Sequence, residues 1–482
     1  MQISYKTEPL SLKGPLWLFS LKDSIDRNLL EFAGNFPDPL PINLILQAYQ
    51  DESPTLYLEE GKIRLHLFRT KAYTFSAIKN LAAEAIFNCR KLDTNPIILI
   101  DLALFSAQAL EAISEGLWWG GQNLGLHKTS DEVPARAWNI SLAGNESRES
   151  MEVAISKGSY KGALLEKIGG LVNEPGNVCT PQYMADFALR EAENRPINIR
   201  IHSAEDIQRE GLWGLWNVGK GSSYPPVMIE MDYHPENCIA TVGLVGKGVT
   251  FDTGGVSLKD GKNMHYMKSD MGGAAAVLGT ILAAADLHLP IRLIGIIPSA
   301  ENHIDRLAYR PGDVISSYSG KTIEIINTDA EGRLLLADGL SYILKNYTLD
   351  HLIDLATLTG SAVQTFGYLG GALFSNNASL SDELMKASIE SGEKIWPLPL
   401  WEEYEKELES TIADIRHFHN SPLAGAAVAA KFLESFIGGF ASWAHLDIAA
   451  VALKETVFSK EKVGTGFGVD LLISWLENFQ GN

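Results

Sequence analysis

Four carboxylates in the second half of the chain, Asp252, Asp270, Asp329 and Glu331, follow or precede apolar runs in a way that could do chemistry. Asp329 and Glu331 lie in Asn327–Leu334, which reads NTDAEGRL. The β-branched run Thr322–Ile326 before it predicts a strand, and apolar residues at helical spacing over Leu334–Leu344 predict a helix. The two acids therefore fall on a turn at the carboxyl end of a strand, where open α/β sheets bind ligands. Taken alone, such a turn reads more readily as a polar strand-to-helix turn with Asp at or near the helix cap. Taken with Asp252 and Asp270, it offers more carboxylates than one divalent ion needs. The excess suits two ions about 3.5–4 Å apart, bridged by shared carboxylates and a water. Such a pair draws the pKa of the water toward neutrality and polarises a carbonyl. Spacing leaves open which carboxylates bridge.

Three cations accompany them. Lys247 sits between two glycines. Its bland reading is a salt bridge to one of the aspartates, and residue chemistry alone favours it; burial beside two metal ions would instead depress its pKa and let it ligate. Lys259 and Arg333 either pair with the acids or act on substrate. In the second case Lys259 steadies an oxyanion, and Arg333 grips a small anion or the substrate bidentately. The Gly-Lys pair is not a phosphate loop, because Thr241 and Gly248 stand where that pattern needs Gly and Ser or Thr. Neither His-Glu-x-x-His nor Gly-x-Ser-x-Gly occurs. His265, His417, His419 and His445 are scattered and read as structural or surface residues, as do Asp414, Trp443 and Asp447.

The elements that must position these groups alternate strand and helix. In the N-terminal part, Leu16–Leu21 predicts a strand and Ile25–Ala33 a helix. Thr55–Leu58 and Ile63–Phe68 predict a hairpin. Ala72–Leu92 and Ala107–Trp119 predict helices around the buried strand Pro96–Leu102. Trp118 and Trp119 read as core or interface packing. The polar stretch Gly144–Glu149 predicts a linker, followed by a helix over Glu152–Leu171. The strand–helix rhythm resumes at Ile197 and continues through Ile239–Val245, Met271–Ala285, Ile291–Ile297 and Asp350–Leu355. The chain reads as α/β with two domains: a smaller N-terminal α/β domain, residues 1–150, and a larger catalytic domain, residues 151–482, with a mostly parallel twisted sheet flanked by helices.

Composition sets bounds. A net charge of −19 over 482 residues disfavours a nucleic-acid partner. Three cysteines without a Cys-x-x-Cys pair fit a reducing compartment. No secretory signal or bilayer-spanning run is legible, and a cytoplasmic location without a membrane partner is expected.

The motifs together resemble one family, the leucyl or cytosol aminopeptidases. NTDAEGRL matches its signature, and GKGVTFDTGG (Gly246–Gly255), SLK (Ser257–Lys259), MKSDMGGAA (Met267–Ala275), ATLTG (Ala356–Gly360), WPLPLWEEY (Trp396–Tyr404) and WAHLDIA (Trp443–Ala449) follow in the family's order. The resemblance covers about residues 160 to 475 and implies a two-metal exopeptidase that removes N-terminal residues, leucine and other apolar ones preferred, by a metal-activated water. It implies that Lys247, Asp252, Asp270 and Glu331 hold the tighter ion, and that Asp252, Asp329 and Glu331, with the Asp329 carbonyl, hold the exchangeable one, manganese or zinc. It further implies that Lys259 polarises the scissile carbonyl and that Arg333 holds a bicarbonate as general base. Asn327 and Leu358 match substrate-contacting positions. Met267, Thr357, Gly360 and Ala449 match the lining of the first side-chain pocket, and Ala452 replaces a bulkier residue of some members. The partners implied are peptide substrates and a homohexamer. A narrow dipeptidase, for instance for cysteinylglycine, and a member with an added DNA-binding role are the alternatives.

Overall fold

The computed structural model describes residues 148–419 and 421–479, and before them 2–6, 16–21, 55–58, 63–70, 72–89, 97–100, 106–122, 124, 127–129 and 139–143. Mutual contacts divide the chain into two compact units, Met1–Glu166 with Thr456–Lys460, and Lys167–Glu455 with Glu461–Asn482.

In the first unit, six strands form one sheet: β1 (Gln2–Lys6), β2 (Leu16–Leu21), β3 (Thr55–Leu58), β4 (Ile63–Thr70), β5 (Ile97–Ile100) and β6 (Asn139–Ala143), in the order β1-β6-β5-β2-β4-β3. All neighbours are parallel except the expected hairpin pair β3–β4. Helices α1 (Phe75–Cys89) and α2 (Ala107–Gly121) pack closely because α2 offers glycines where they meet. A Cβ on Gly116 would stand 2.9 Å from the carbonyl carbon of Lys79. Ser106 caps α2, its hydroxyl accepting the Ala109 N–H at 3.1 Å. Trp119 is buried edge-on against Phe458 with ring centroids 4.7 Å apart, so it serves the core. The helix expected over Ile25–Ala33 lies outside the described residues.

α3 (Arg148–Asn173) begins inside the stretch read as a linker, and the unit division falls within it. The second unit is built on a nine-stranded sheet. Its strands are β7 (Ile197–His202), β8 (Val227–Tyr233), β9 (Thr241–Gly246), β10 (Gly248–Asp252), β11 (Arg292–Asn302), β14 (His351–Ala356), β15 (Gly371–Ser375), β16 (Ile395–Pro397) and β18 (Trp443–Asp447), ordered β16-β15-β18-β14-β9-β11-β8-β7 with β10 also on β11. A smaller sheet joins β12 (Val314–Ser316), β13 (Thr322–Glu324) and β17 (Ile415–Arg416). The central run β18-β14-β9-β11 is parallel, and direction reverses at β18–β15, β11–β8 and β8–β7.

That parallel run decides where the chemistry sits. β9, β14 and β18 end at Gly246, Ala356 and Asp447, so three loops leave the same edge of the sheet side by side. The chain leaves β11 at the pair Val245–Ile296 and rejoins it as β10 at Gly248–Ser299, which leaves Lys247 at the break. The helix Gly272–Asp286 runs back under the sheet and is buried except at its last residue. Its glycine start makes this possible, since a Cβ on Gly273 would stand 2.7 Å from the Leu355 carbonyl carbon. Each Leu or Ile it buries contributes about 1.5–3 kcal/mol. Among the described residues no helix is long and apolar enough to cross a membrane.

Candidate functional site

The strand over Thr322–Ile326 stops at Glu324, two residues earlier than its β-branched pattern predicts. The Ile325 N–H turns away to the Asp313 carbonyl at 2.9 Å, and the Ile325 carbonyl accepts from Gly312 at 2.7 Å. Asn327 then caps a tight turn over Thr328–Ala330, its side-chain oxygen accepting the Asp329 N–H at 2.9 Å. The helix Gly332–Asn346 follows at once. Asp329 and Glu331 are thereby presented at its start.

Asp252, at the end of β10, faces this turn. Its Oδ1 accepts the Gly254 N–H and the Asn302 side-chain amide, both at 2.8 Å. The same Asn302 amide donates to the Thr328 carbonyl at 2.9 Å, so one residue at the end of β11 ties both acidic loops together. Asp270 enters from the turn before Gly272 and accepts the Thr357 hydroxyl at 2.7 Å.

The lysines thread this acidic cluster. Lys247 Nζ lies 2.7 Å from Asp270, 2.8 Å from Glu331 and 3.0 Å from the Thr357 carbonyl. Lys259 Nζ lies 2.7 Å from Asp252 and also pairs with Asp329. Apart from Lys259 and Asp329, the cluster is nearly closed to solvent.

Burial makes these charges interact strongly. Burial pushes the Asp252 carboxyl up to about 6, with Glu331 adding to the rise and Lys259 and Lys247 opposing it. Asp270 and Asp329 are also raised, burial again being the main cause. Glu331 goes the other way: burial would raise it, but Lys247 and Lys259 hold it below the usual range. Burial would depress both ammoniums, yet the carboxylates keep each above the ordinary lysine value.

Arg333 is buried one position further along the helix. Its Nη1 donates to the His417 carbonyl at 2.7 Å, and its guanidinium lies 5.5 Å from the Phe418 ring centroid. Its Nε has no hydrogen-bond partner among the described residues. Burial lowers its pKa to about 10.

The remaining candidates border this cluster. Thr357 joins it directly through the two contacts above. Leu358 is half-buried, and its N–H donates to Asp447 at 3.1 Å. Ala449 donates to the same carboxylate at 3.2 Å. Gly360 opens a short helix, and a Cβ there would meet nothing within 4 Å. Met267 sits half-buried in the turn Met264–Ser269, its carbonyl accepting the Asp270 N–H at 3.2 Å. Ala452 is buried, its Cβ 2.7 Å from where a Cβ on Gly272 would stand.

Residue spacing did not point to Asn302, Thr328 or Tyr309, although Asn302 ending an apolar strand was a usable signal. Tyr309 donates to the Thr328 carbonyl at 2.9 Å. His417 holds the turn from below, its Nε2 2.8 Å from the Asn327 carbonyl. His445 pairs with Asp354 at 2.5 Å, the Trp443 indole donates to Asp354 at 2.8 Å, and Asp414 accepts from Thr322 at 2.8 Å; these three serve the fold.

The donor set fits divalent cations. Carboxylate oxygens of Asp252, Asp329 and Glu331 lie within 4.8 Å of one another. Glu331 Oε2 is buried without a hydrogen-bond partner among the described residues. Two lysines face four carboxylates, three of them buried and Asp329 half-buried, a balance that further cations would complete.

A buried carboxylate–lysine cluster at the carboxyl edge of a twisted α/β sheet places the protein among metal-dependent enzymes of that architecture. Residues 169–473 match the cytosol aminopeptidase family, catalytic domain. A probable cytosol aminopeptidase of Chlorobaculum tepidum is 42% identical over 79% of this chain and 75% of its own length. One from Syntrophotalea carbinolica is 41% identical over 88% of each chain. Among solved structures, the bottromycin maturation enzyme BotP in complex with Mn superposes with a TM-score of 0.80 at 30% identity, covering 96% of this chain and 99% of that one. The chain belongs to the cytosol aminopeptidase family, whose members are metal-dependent aminopeptidases.

Proposed function

We propose that residues 151–482 act as a two-metal aminopeptidase that releases N-terminal leucine and other apolar residues from peptides. The observation that carries this reading is the convergence of Asp252, Asp270, Asp329, Glu331, Lys247 and Lys259 in one buried cluster. Lys247, once its ammonium had given up its proton, would hold one ion with Asp252, Asp270 and Glu331, and Asp252, Asp329 and Glu331 with the Asp329 carbonyl would hold the other, manganese or zinc. When bound, the ions supply Lewis acidity and a water of lowered pKa.

The chain's own residues do the rest. The surrounding carboxylates hold the Lys259 ammonium above the ordinary lysine value, against the effect of burial, and that ammonium would steady negative charge that develops on the scissile carbonyl oxygen. Arg333 offers a buried, unshared Nε–H, which suits a small anion such as bicarbonate as general base. The half-buried Leu358 and Asn327 border the cluster where the substrate backbone would lie, and Met267, Thr357, Gly360 and Ala449 would shape the pocket for its first side chain. Four acids beside two lysines favour a substrate that brings a free α-amine, so cleavage is confined to the N-terminal residue. A cytoplasmic homohexamer is the assembly that goes with this reading.

The test is hydrolysis of a leucine chromogenic amide and its N-acetylated twin by chelated enzyme, with manganese or zinc then restored. Cleavage of the free amine alone, and only with metal, is the expected result. Cleavage of the acetylated twin, or no cleavage with any metal, would overturn the reading.

A further inference from the structure

β18 ends at Asp447, a carboxylate with no exposed surface. It stands opposite Ala356 in the register of β18 with β14, so its side chain meets the loop that leaves β14. Oδ1 accepts the Leu358 N–H at 3.1 Å and the Ala449 N–H at 3.2 Å. Oδ2 accepts the Thr359 hydroxyl at 2.6 Å. The Thr359 oxygen in turn accepts the Ala362 N–H at 3.1 Å and so caps the helix Gly360–Phe366.

The far side of the same loop is fastened to the charged cluster. Thr357 gives its hydroxyl to Asp270 and its carbonyl to Lys247. Residues 357–360 are thus stretched between the cluster and one buried acid. The loop's Leu358 N–H and Thr359 hydroxyl are spent on that acid, and burying a carboxylate costs free energy unless such donors meet it. An apolar residue at 447 would fill the space without that cost but would leave the Leu358 N–H and the Thr359 hydroxyl without a partner.

We propose that Asp447 is the positioning residue for substrate selectivity. It sets how far the Leu358 backbone and the Gly360 helix start stand from the charged cluster, and with them the depth of the pocket for the N-terminal side chain. Asp447 itself touches no substrate; it acts through Leu358, Thr359 and Ala449. The inference rests on the aminopeptidase reading and deepens it.

The test compares full-length, metal-loaded wild type with Asp447→Asn, Thr359→Ser and Thr359→Val. Steady-state kcat and KM are measured on glycine, alanine, leucine and phenylalanine amides, with metal content assayed in parallel. Asp447→Asn is expected to raise KM for leucine amide about 10-fold, the equivalent of one lost hydrogen bond. Its kcat should move less, its metal content should stay that of wild type, and its leucine-to-alanine preference should shrink. Thr359→Ser keeps the wild-type preference, and Thr359→Val shifts it in the same direction as Asp447→Asn. A purely structural role would scale kcat down by one factor for every substrate and leave KM alone, which would overturn the inference. If Asp447→Asn does not fold, an unchanged preference in Thr359→Val overturns it as well. A wild type that cleaves none of the amides overturns the aminopeptidase reading, and this inference with it.

Discussion

Gly332 lies against the ammonium end of Lys247: a Cβ at position 332 would stand 2.7 Å from Lys247 Nζ. Lys247 has no room to withdraw, because Asp270, Glu331 and the Thr357 carbonyl fix it at 2.7, 2.8 and 3.0 Å. Gly332→Ala therefore pushes the one cation that joins Asp270 to Glu331. Gly332 is the first residue of its helix, so the helix-interior preference for alanine does not offset the crowding, which costs about 1–3 kcal/mol. The expected outcome is a lowered melting temperature together with kcat/KM lowered about 100-fold, the scale of a misplacement near 1 Å. Kinetics and thermal melting on the same preparation check it. Wild-type activity in Gly332→Ala would show that the position of Lys247 does not matter.

Lys259 bridges Asp252 and Asp329, the acids of the two separate loops. Lys259→Met keeps the stem and removes the charge, so the carboxylates repel without a counter-charge. Activity should fall about 10²–10³-fold, as for loss of a group that stabilises developing charge. Lys259→Arg should not restore it, because a planar fork cannot take the place of a compact ammonium between two acids. Substantial recovery with arginine would reduce Lys259 to a counter-charge.

The sequence exposed these acids because each lies on a local strand–turn or turn–helix junction that pattern alone locates. NTDAEGRL is legible since the strand before it and the helix after it are neighbours in the chain. Asn302 was not, because its role exists only when β10 pairs with the far end of β11, setting Asp252 opposite Asn302. His417 was hidden for the same reason. It comes beside Asn327 through the β13–β17 pairing, 90 residues apart in the chain. The sheet's parallel centre followed from the strand–helix alternation. Its three antiparallel pairs did not: β15 is as apolar as its parallel neighbours and carries no mark of direction, while the alternation in β7 and the Glu230 and Asp232 of β8 were a usable signal.

His417 also predicts a pH dependence of stability. Burial, aided by Arg333, lowers its pKa from 6.5 to about 4. Between those values the unfolded chain binds a proton at this site and the folded chain does not. The unfolded state then holds more protons, so stability rises with pH across the window and is lost as pH falls from 6.5 toward 4. His417→Gln should lack this component. Urea unfolding at intervals from pH 7.5 to 4 is expected to show wild type losing ground to the variant over that range, and parallel curves would contradict the assignment.

Asn302 makes the sharpest prediction about the acids themselves. Its amide donates to Asp252 and to the Thr328 carbonyl from one nitrogen, at 2.8 and 2.9 Å. Asn302→Asp keeps the shape and replaces that donor with an acceptor, so two carboxylates and a carbonyl oxygen face one another in a buried place. Losing a donor to buried partners costs about 1–3 kcal/mol, and like charge adds to it. Asn302→Leu loses the same hydrogen bonds without the added charge. Both variants should be less stable, with the aspartate worse at pH 8 and the gap closing at lower pH as one carboxyl takes a proton. Titration calorimetry with manganese on chelated protein adds a readout independent of turnover. Both variants should bind more weakly than wild type, because Asp252 is no longer held toward Asp329. Wild-type manganese affinity in Asn302→Leu would show that Asp252 keeps its place without this amide and that the tie between the two acidic loops is dispensable.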